Sequence, residues 1–294
     1  LEHARRRMKF EELFLLQLRA KSIRDAMRVL KAPEIPFNQG LVKGFVSSLP
    51  FTLTDAQRRS AWDIIKDLQR NTPMNRLLEG DVGAGKTVVA GLVMYSSVHG
   101  GYQSAMMAPT EILAVQHYES LKKVFGEDFR ISLLSGSRAE ATFPVESTTK
   151  VGTKRALISH IKAGTADVVV GTHALLSGNV QFKNLGIVIV DEQHRFGVEQ
   201  RRTLREMSGD TDTQPHFLSM TATPIPRTLA LTLYGDLDIS VLNQLPAGRK
   251  PVRTQVVDMM SRKSAYSAVR AQIRQGRQAF VICPMIEEDE KGEK

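Results

Sequence analysis

Between residues 49 and 248 the chain alternates short apolar runs with amphipathic segments. Two of the runs, 168–170 and 187–190, consist of Val and Ile alone, which is typical of strands buried on both faces of a sheet. Apolar strands separated by helical segments predict a parallel sheet of the α/β class. The polar segment 142–152 is expected to be an exposed loop. The predicted strands are 76–79, 105–108, 131–134, 168–170, 187–190 and 217–220, and the predicted helices are 88–98, 111–125 and 154–161.

The first 48 residues have a different pattern, in which apolar side chains recur at the i, i+3, i+4, i+7 spacing of an amphipathic helix. This spacing predicts a helix over residues 1–31, and the prolines and glycine that follow predict a break. We therefore expect residues 1–48 to form a helical linker ahead of an α/β domain at 49–248. The apolar helix positions are Phe10, Leu13, Phe14, Leu16, Ile23, Ala26, Met27 and Leu30, and the breaking residues are Pro33, Pro36 and Gly40.

A second boundary is predicted at residues 246–251, where the sequence Pro-Ala-Gly-Arg-Lys-Pro interrupts the periodic pattern. Beyond this boundary, residues 254–257 and 279–282 have strand-like composition, and 264–274 is predicted to be a helix. This order indicates the start of a second α/β domain at 249–294.

Composition indicates a globular protein with a polyanionic partner. Hydrophobic residues make up 42% of the 294 positions and charged residues 24%, which argues against a disordered or coiled-coil chain. The net charge is +9, and residues 1–31 hold nine Lys or Arg against four Asp or Glu. Such an excess is typical of proteins that bind nucleic acid or lipid head groups, and the alternative is a solvated helix face.

Cysteine content and hydropathy bear on the compartment. Cys283 is the single cysteine, so the chain forms no internal disulfide, and no Cys/His group has the spacing of a zinc site. No run of about 18 apolar residues occurs, so no membrane-spanning helix is expected. These features predict a cytoplasmic protein without a membrane partner.

Residues 80–87, Gly-Asp-Val-Gly-Ala-Gly-Lys-Thr, match the phosphate-binding P-loop pattern G-x-x-x-x-G-K-[ST] between a predicted strand and a predicted helix. Its glycines, at Gly80, Gly83 and Gly85, let backbone N–H groups point at phosphate oxygens, and the helix N-terminus adds partial positive charge. Lys86 is predicted to reach the β- and γ-phosphates of a nucleotide, and Thr87 to coordinate Mg²⁺.

Asp191 and Glu192 follow the apolar strand predicted at 187–190. Acidic residues at the carboxyl end of a buried parallel strand lie where α/β sheets bind ligands. Asp191 is predicted to hold Mg²⁺ through water, and Glu192 to accept a proton from the attacking water. Two adjacent carboxylates beside one phosphate site repel each other unless a cation lies between them. In isolation, such a pair would more often be a surface turn.

Four further segments each have two interpretations. Thr54 to Gln57 fits the T-x-x-Q capping box of a helix N-terminus, which the spacing favours, whereas Gln57 can instead pair with adenine. Thr221 and Thr223 follow a predicted strand and in isolation favour a plain turn, the alternative being a contact with a phosphate or carboxylate. The same choice, with a nucleic-acid backbone as the ligand, applies to Thr110, Thr172 and His173.

Taken in order, these segments resemble the motor of superfamily 2 helicases. Longer strings narrow the resemblance to the RecG family, the bacterial ATP-dependent DNA branch-migration helicases, over about residues 49–285. Residues 1–48 resemble, less specifically, the end of that family's DNA-binding wedge domain and the helices after it. The six motifs are LTDAQ (53–57), the P-loop, APTE (108–111), GTH (171–173), DEQH (191–194) and TATP (221–224), and the longer strings are LPFTLT (49–54), DEQHRFGV (191–198), MTATPIPRT (220–228) and LPAGRKP (245–251).

The resemblance implies a RecA-like P-loop domain in a monomer that uses ATP and Mg²⁺ to move along double-stranded DNA and remodel stalled forks and Holliday junctions. It implies that Gln57 recognises adenine, that Glu192 is the general base and that Asp191 holds Mg²⁺. It assigns coupling of hydrolysis to DNA movement to His194, Thr221 and Thr223, and contact with DNA phosphates and sugars to Thr110, Thr172 and His173.

The chain departs from the family pattern in its extent. The second motor half, with its arginine finger, should begin near residue 250, whereas the sequence ends at Lys294, and most of the wedge domain is absent. An arginine finger contributes about 10³–10⁵ in rate in related enzymes. We therefore expect this chain alone to bind Mg-ATP weakly, to hydrolyse it slowly and not to unwind DNA.

Three other functions are weighed against this one. The transcription-repair coupling translocases have similar motifs, although the DEQH and LPAGRKP strings favour the branch-migration family. A small-molecule kinase or a GTPase needs an acceptor pocket or an N-K-x-D segment, and neither is visible in the sequence. A passive nucleic-acid-binding module does not need Lys86, Asp191 and Glu192.

Overall fold

The computed structural model describes residues 2–145, 150–176, 180–192, 213–223, 237–246, 254–258 and 260–282. Contacts divide the chain into two compact units, Leu1–Ala247 and Gly248–Lys294. The first unit contains an eight-stranded sheet with helices between its strands, which confirms the α/β class.

Helices and strands of the first unit follow the periodicity of the sequence, and a short 3₁₀ turn covers His173–Leu176. The helices are α1 (Glu2–Arg28), α2 (Gln39–Ser48), α3 (Asp55–Leu68), α4 (Lys86–His99), α5 (Glu111–Phe125) and α6 (Lys150–Ala163). The strands are β1 (Asn75–Gly80), β2 (Gln103–Met107), β3 (Ile131–Leu134), β4 (Ala139–Ala141), β5 (Val168–Gly171), β6 (Leu185–Asp191), β7 (His216–Thr221) and β8 (Asp238–Leu242).

The strand order is β4-β3-β5-β2-β6-β7-β1-β8, and every pair of neighbours is parallel except β3 and β4. Because parallel strands end on the same side, the loops after β3, β5, β2, β6, β7 and β1 share one edge, which we call the carboxyl edge. The opposite side, where these strands begin, is the amino edge. The order brings segments that are distant in sequence next to one another at each edge.

Two apolar layers hold the sheet between helices. Alternate residues of one strand enter different layers, so that Ile187 and Ile189 join the layer under α3, α4 and α5, whereas Val188 and Val190 join the layer under α6. All four side chains are fully buried. The unbroken apolar runs in the sequence are therefore explained by burial on both faces of the sheet.

The six strands and three helices predicted between residues 49 and 248 are all present. The sequence did not indicate α2, β4 or β8 as separate elements, because β4 is three residues long and β8 alternates exposed and buried positions at the sheet margin. The loop predicted at 142–152 is too long, because α6 begins at Lys150, and residues 146–149 lie outside the described part.

Helix α1 forms as predicted, but its first apolar residues are not covered. Phe10 and Phe14 are 62% and 51% exposed, and their rings stack on each other. The side chains of Ile23, Ala26 and Met27 lie outside the description. No helix in the described ranges is long and apolar enough to cross a membrane.

The second unit has one helix among its described residues, α7 (Arg262–Arg274), as predicted. The strands predicted at 254–257 and 279–282 are wrong, since neither segment is hydrogen-bonded into a sheet. Val256 and Ile282 are almost fully exposed. Strand-like composition makes a strand only where a neighbouring strand pairs with it, and within the described residues of this unit no such neighbour occurs.

Candidate nucleotide-binding site

The P-loop connects β1 to α4 at the carboxyl edge. Gly83 and Gly85 have φ values of 80° and 91°, in the left-handed region that favours glycine. A side chain at Gly85 would also collide with the amide of Gln57, and one at Gly80 would lie 2.8 Å from Cβ of Leu242. The sequence thus requires glycine at these positions for backbone geometry and for space.

The start of α4 is open to an acceptor from outside the helix. Gly85 occupies the N-cap position, and no side chain from the described residues caps this helix. By contrast, Thr54 and Thr110 cap α3 and α5 with their hydroxyl oxygens. The first N–H groups of an uncapped helix and their partial positive charge favour an anion.

Lys86, the first residue of α4, is folded back over the loop. Its Nζ donates to the carbonyl oxygens of Gly80 at 2.6 Å and of Asp81 at 3.2 Å. Burial lowers the pKa of Lys86, and the negative charges of Asp191, Glu192 and Asp81 oppose that shift. The lysine therefore interacts electrostatically with both acidic residues at 191 and 192.

Asp191 is the last residue of β6, and its side chain is buried. Its Oδ2 lies 2.8 Å from Nε2 of His117, and its Oδ1 accepts the backbone N–H of Glu192 at 3.1 Å. Glu192 has φ 52°, an uncommon value for a residue with a side chain, which turns the chain sharply after the strand. This turn lies at the same edge as the P-loop.

The segment after β7 lies between these two groups, because β7 pairs with β6 on one side and β1 on the other. Asp191 is in register with Met220, and Glu79 with Thr221. Thr221 is buried, and its Oγ1 lies 2.9 Å from Oγ1 of Thr223 and accepts the N–H of that residue. The local structure is the turn that the sequence favoured, placed between the P-loop and the acidic pair.

Gln57 forms the predicted capping box and also contacts the P-loop. The Thr54 hydroxyl accepts the N–H of Gln57, and the Gln57 side-chain oxygen accepts the N–H of Thr54 at 2.8 Å. The amide nitrogen of Gln57 donates to the carbonyl oxygen of Ala84 at 2.7 Å. The capping interpretation is confirmed, and the recognition of adenine stays a prediction.

The other half of the carboxyl edge contains the three residues assigned to nucleic acid. Thr110 follows β2 and is exposed, although its hydroxyl caps α5. Thr172 and His173 follow β5, the neighbour of β2, and His173 is exposed. Their roles stay predictions, and His194 lies outside the described residues.

Sequence reasoning missed two polar features of this edge. His117 lies among the buried residues of α5, and its signal was a polar residue on an otherwise apolar helix face. Glu111, at the start of α5, accepts hydrogen bonds from Ser135 at 3.0 Å and Ser137 at 2.5 Å, in the loop after β3. Spacing along the chain gives no sign of this second contact.

The donor atoms at the site suit a hard cation that arrives with its own ligands. No group of three or more His, Cys, Asp or Glu within the described ranges is arranged to hold a metal ion. Mg²⁺ is typically bound by one or two carboxylates together with waters and substrate phosphates. The carboxylate of Asp191, near Lys86 and the P-loop, fits that donor set with the hydroxyl of Thr87.

Sequence relatives of known name match nearly the whole chain. It is 46% identical over 290 residues to a Streptococcus pneumoniae protein named ATP-dependent DNA helicase RecG, covering 98% of this chain and 41% of that protein. An Aquifex aeolicus protein of the same name is 44% identical over 287 residues, covering 97% and 35% respectively. The chain thus spans about two fifths of the length of these curated relatives.

A solved structure described as RecG bound to a three-way DNA junction has a TM-score of 0.82 and 41% identity, covering 97% of this chain and 37% of that one. This similarity confirms the RecA-like helicase fold. A sequence profile of the DEAD/DEAH box helicases matches residues 54–232, from the capping box of α3 past the end of β7. Because that match covers more than half of the sequence, the chain belongs to the DEAD/DEAH box helicase family.

Proposed function

We propose that the chain is the ATP-binding part of a helicase motor that moves along double-stranded DNA and remodels branched DNA, including stalled forks and Holliday junctions. The observation that carries the proposal is the strand order, in which β7 pairs with both β1 and β6 and so places the P-loop and the acidic pair at neighbouring positions of the carboxyl edge. The proposal is also supported by the name of the sequence relatives, ATP-dependent DNA helicase RecG.

A nucleoside triphosphate fits the P-loop residues as they stand. Lys86 now donates to two loop carbonyl oxygens, and these hydrogen bonds can be exchanged for bonds to β- and γ-phosphate oxygens. Gly80, Gly83 and Gly85 keep side chains out of the loop. Gln57, which already contacts the loop through Ala84, is proposed to recognise adenine.

Thr87 and Asp191 are the residues proposed to hold Mg²⁺, through oxygen atoms that this ion prefers. When bound, Mg²⁺ would neutralise charge on the phosphates during transfer to water. Glu192 is proposed as the general base that takes the proton of the attacking water. Thr221 and Thr223, between the P-loop and the acidic pair, are proposed to link hydrolysis to DNA movement together with His194.

Double-stranded, branched DNA is the proposed partner of the other half of the carboxyl edge. Thr110, Thr172 and His173 lie after neighbouring strands there, and an exposed hydroxyl or imidazole can bond phosphates without reading bases. The net charge of +9 supports a polyanion.

The organisation of the chain is proposed to follow the same scheme. Residues 1–48 would be a helical linker, 49–248 the first RecA-like motor domain and 249–294 the start of the second. The division of contacts between Ala247 and Gly248 supports the second boundary. We propose a monomer, as the resemblance to the branch-migration helicases implies, and a cytoplasmic location, which the single cysteine Cys283 supports.

Nucleotide and DNA binding test the proposal directly. Fluorescent ATP should bind the chain in the presence of Mg²⁺ and be displaced by ATP more readily than by GTP, and K86A should weaken this binding. A labelled three-way junction should bind more tightly than linear duplex, with an affinity that falls steeply from 50 to 200 mM salt. Equal displacement by GTP, or junction binding that ignores salt, would contradict the proposal.

A further inference from the structure

A buried histidine on α5 contacts the acidic end of β6. His117 and Asp191 are each 7% exposed, and Nε2 of His117 lies 2.8 Å from Oδ2 of Asp191. A buried polar group without a hydrogen-bond partner destabilises a fold. His117 and Asp191 therefore each provide the hydrogen-bond partner that the other requires when buried.

The direction of this hydrogen bond follows from the chemistry of the acceptor. An ionised carboxylate only accepts hydrogen bonds, so His117 donates from a protonated Nε2. The second oxygen of Asp191, Oδ1, accepts the N–H of Glu192 and keeps another lone pair. The two bonds fix the plane of the carboxylate and leave Oδ1 able to face a cation or a water bound to it.

The fold explains how a residue 74 positions away reaches Asp191. Helix α5 buries Ala114, His117, Tyr118 and Leu121 on the face that packs against the sheet. It follows β2, and β2 pairs with β6 along its whole length. Helix α5 thereby brings His117 to the carboxyl end of β6, the strand that neighbours β2.

We propose that His117 is a positioning residue of the nucleotide site, whose Nε2–H holds the Asp191 carboxylate in the orientation that binds the divalent cation of the nucleotide. The inference depends on the proposed function, because it assumes the assignment of Asp191. Groups that hydrogen-bond to metal ligands typically contribute roughly 10–100-fold to metal affinity.

The test measures Mn²⁺ binding by the chain with a non-hydrolysable ATP analogue kept well below the chain concentration, so that little free analogue remains to chelate the metal. Free Mn²⁺ is counted by electron paramagnetic resonance. H117L removes the donor, and H117Q keeps an N–H at about the reach of Nε2. H160L is the matched control, because it removes a histidine hydrogen bond to Thr165, ahead of β5 at the amino edge. The affinity for the analogue without metal is measured in parallel.

H117L is expected to need roughly tenfold or more Mn²⁺ for half-saturation, with metal-free analogue binding within about twofold of the unmodified chain. H117Q should recover most of the Mn²⁺ affinity, and H160L should match the unmodified chain. A purely structural role for His117 predicts that H117L lowers stability without changing Mn²⁺ affinity, and that result would overturn the inference.

Failure of the proposed function would give a different result, in which the unmodified chain binds neither Mn²⁺ nor the analogue. If H117L does not fold, ¹⁵N NMR of the histidine rings in the unmodified chain decides the matter. A ring protonated at Nε2 whose signal shifts on addition of Mg²⁺ and the analogue supports the inference. A His117 ring protonated at Nδ1 alone, or one that does not respond, overturns it.

Discussion

At the amino edge of the sheet, the side chains of Gln103, Arg76 and His216 have their hydrogen-bond partners within the fold. The amide of Gln103 donates to the carbonyl oxygens of Ile161 and Ala166 and accepts the N–H groups of Lys183 and Asn184. At the carboxyl edge, Lys86 donates to loop carbonyl oxygens beside an uncapped helix, and two acidic residues lie near it. The hydrogen bonds of Gln103 join separate elements of the fold, whereas Lys86 remains able to exchange its partners for a ligand.

His216 and Arg76 belong to the first kind. His216 accepts the N–H of Met74 through Nδ1 and donates to the carbonyl oxygen of Pro33 through Nε2, which ties the linker to β1 and β7. Arg76 binds Asp67 through two nitrogens, at 2.6 and 2.9 Å. The difference between the edges teaches that burial of a polar group does not by itself indicate a ligand site. What marks the site is a donor whose present partners a ligand can replace.

The largest expected effect is on ATP hydrolysis and comes from a substitution at the carboxyl edge. E192Q removes the proposed base and should lower ATP hydrolysis by about 10²–10⁴-fold, with nucleotide binding nearly unchanged. Single-turnover hydrolysis of radiolabelled ATP on branched DNA measures this, because it detects slow rates. E140Q, on the exposed strand β4, is the control and should behave as the unmodified chain. If E192Q still hydrolyses ATP at the rate of the unmodified chain, Glu192 is not the general base.

At the amino edge, R76M should destabilise the fold and leave nucleotide affinity unchanged. Asp67 is 5% exposed, and loss of Arg76 leaves this buried carboxylate with only the exposed Arg70 as an ion-pair partner, at a cost of about 3 kcal/mol. Urea unfolding measures the free energy. K66M breaks a half-exposed ion pair with Asp63 and should cost about 1 kcal/mol or less. Similar losses of unfolding free energy in R76M and K66M would show that the ion pair of Arg76 with Asp67 stabilises the fold no more than an exposed pair does.

Low pH should lower the free energy of unfolding through His216, which also lies at the amino edge. Burial lowers the pKa of His216 to about 4, so the folded state keeps the ring neutral while the unfolded chain takes up a proton below the ordinary value of 6.5. Stability is therefore complete above pH 6.5 and falls by about 2 kcal/mol as pH drops towards 4.5. Unfolding free energies across this range should show the loss. H216Q should flatten the slope, and H99Q, at an exposed histidine, should not.

The smallest effect concerns Gln57, which takes part in a cap and contacts the P-loop. T54A removes one half of the capping box and should cost about 1 kcal/mol of stability, with little change in nucleotide affinity. Q57A loses the contact with Ala84 as well and should weaken ATP binding. Thermal unfolding and nucleotide titration of both variants separate the two tasks. Equal nucleotide affinity in T54A and Q57A would leave Gln57 with the cap alone.

Much of the fold was predictable because burial on both faces leaves a strong mark on the sequence. Strands such as β5 and β6 contain the continuous Val/Ile runs 168–170 and 187–190, and α5 was predicted with the bounds that it has. The strands expected at 254–257 and 279–282 failed because composition does not supply a pairing neighbour. For the site, the P-loop and the acidic pair were predictable from contiguous motifs, whereas His117 was not.

The sequence by itself determined the local chemistry of this protein: glycines where φ is positive, a lysine at the start of a helix, two carboxylates at the end of a strand and a capping box before α3. Only the tertiary structure decided which of these groups meet. Strand order placed β7 between β1 and β6 and so brought residues 80–87 near 191 and 192, and helix packing set His117 against Asp191. The reason is physical: motifs are encoded by neighbours along the chain, whereas pairing and packing depend on residues far apart in sequence.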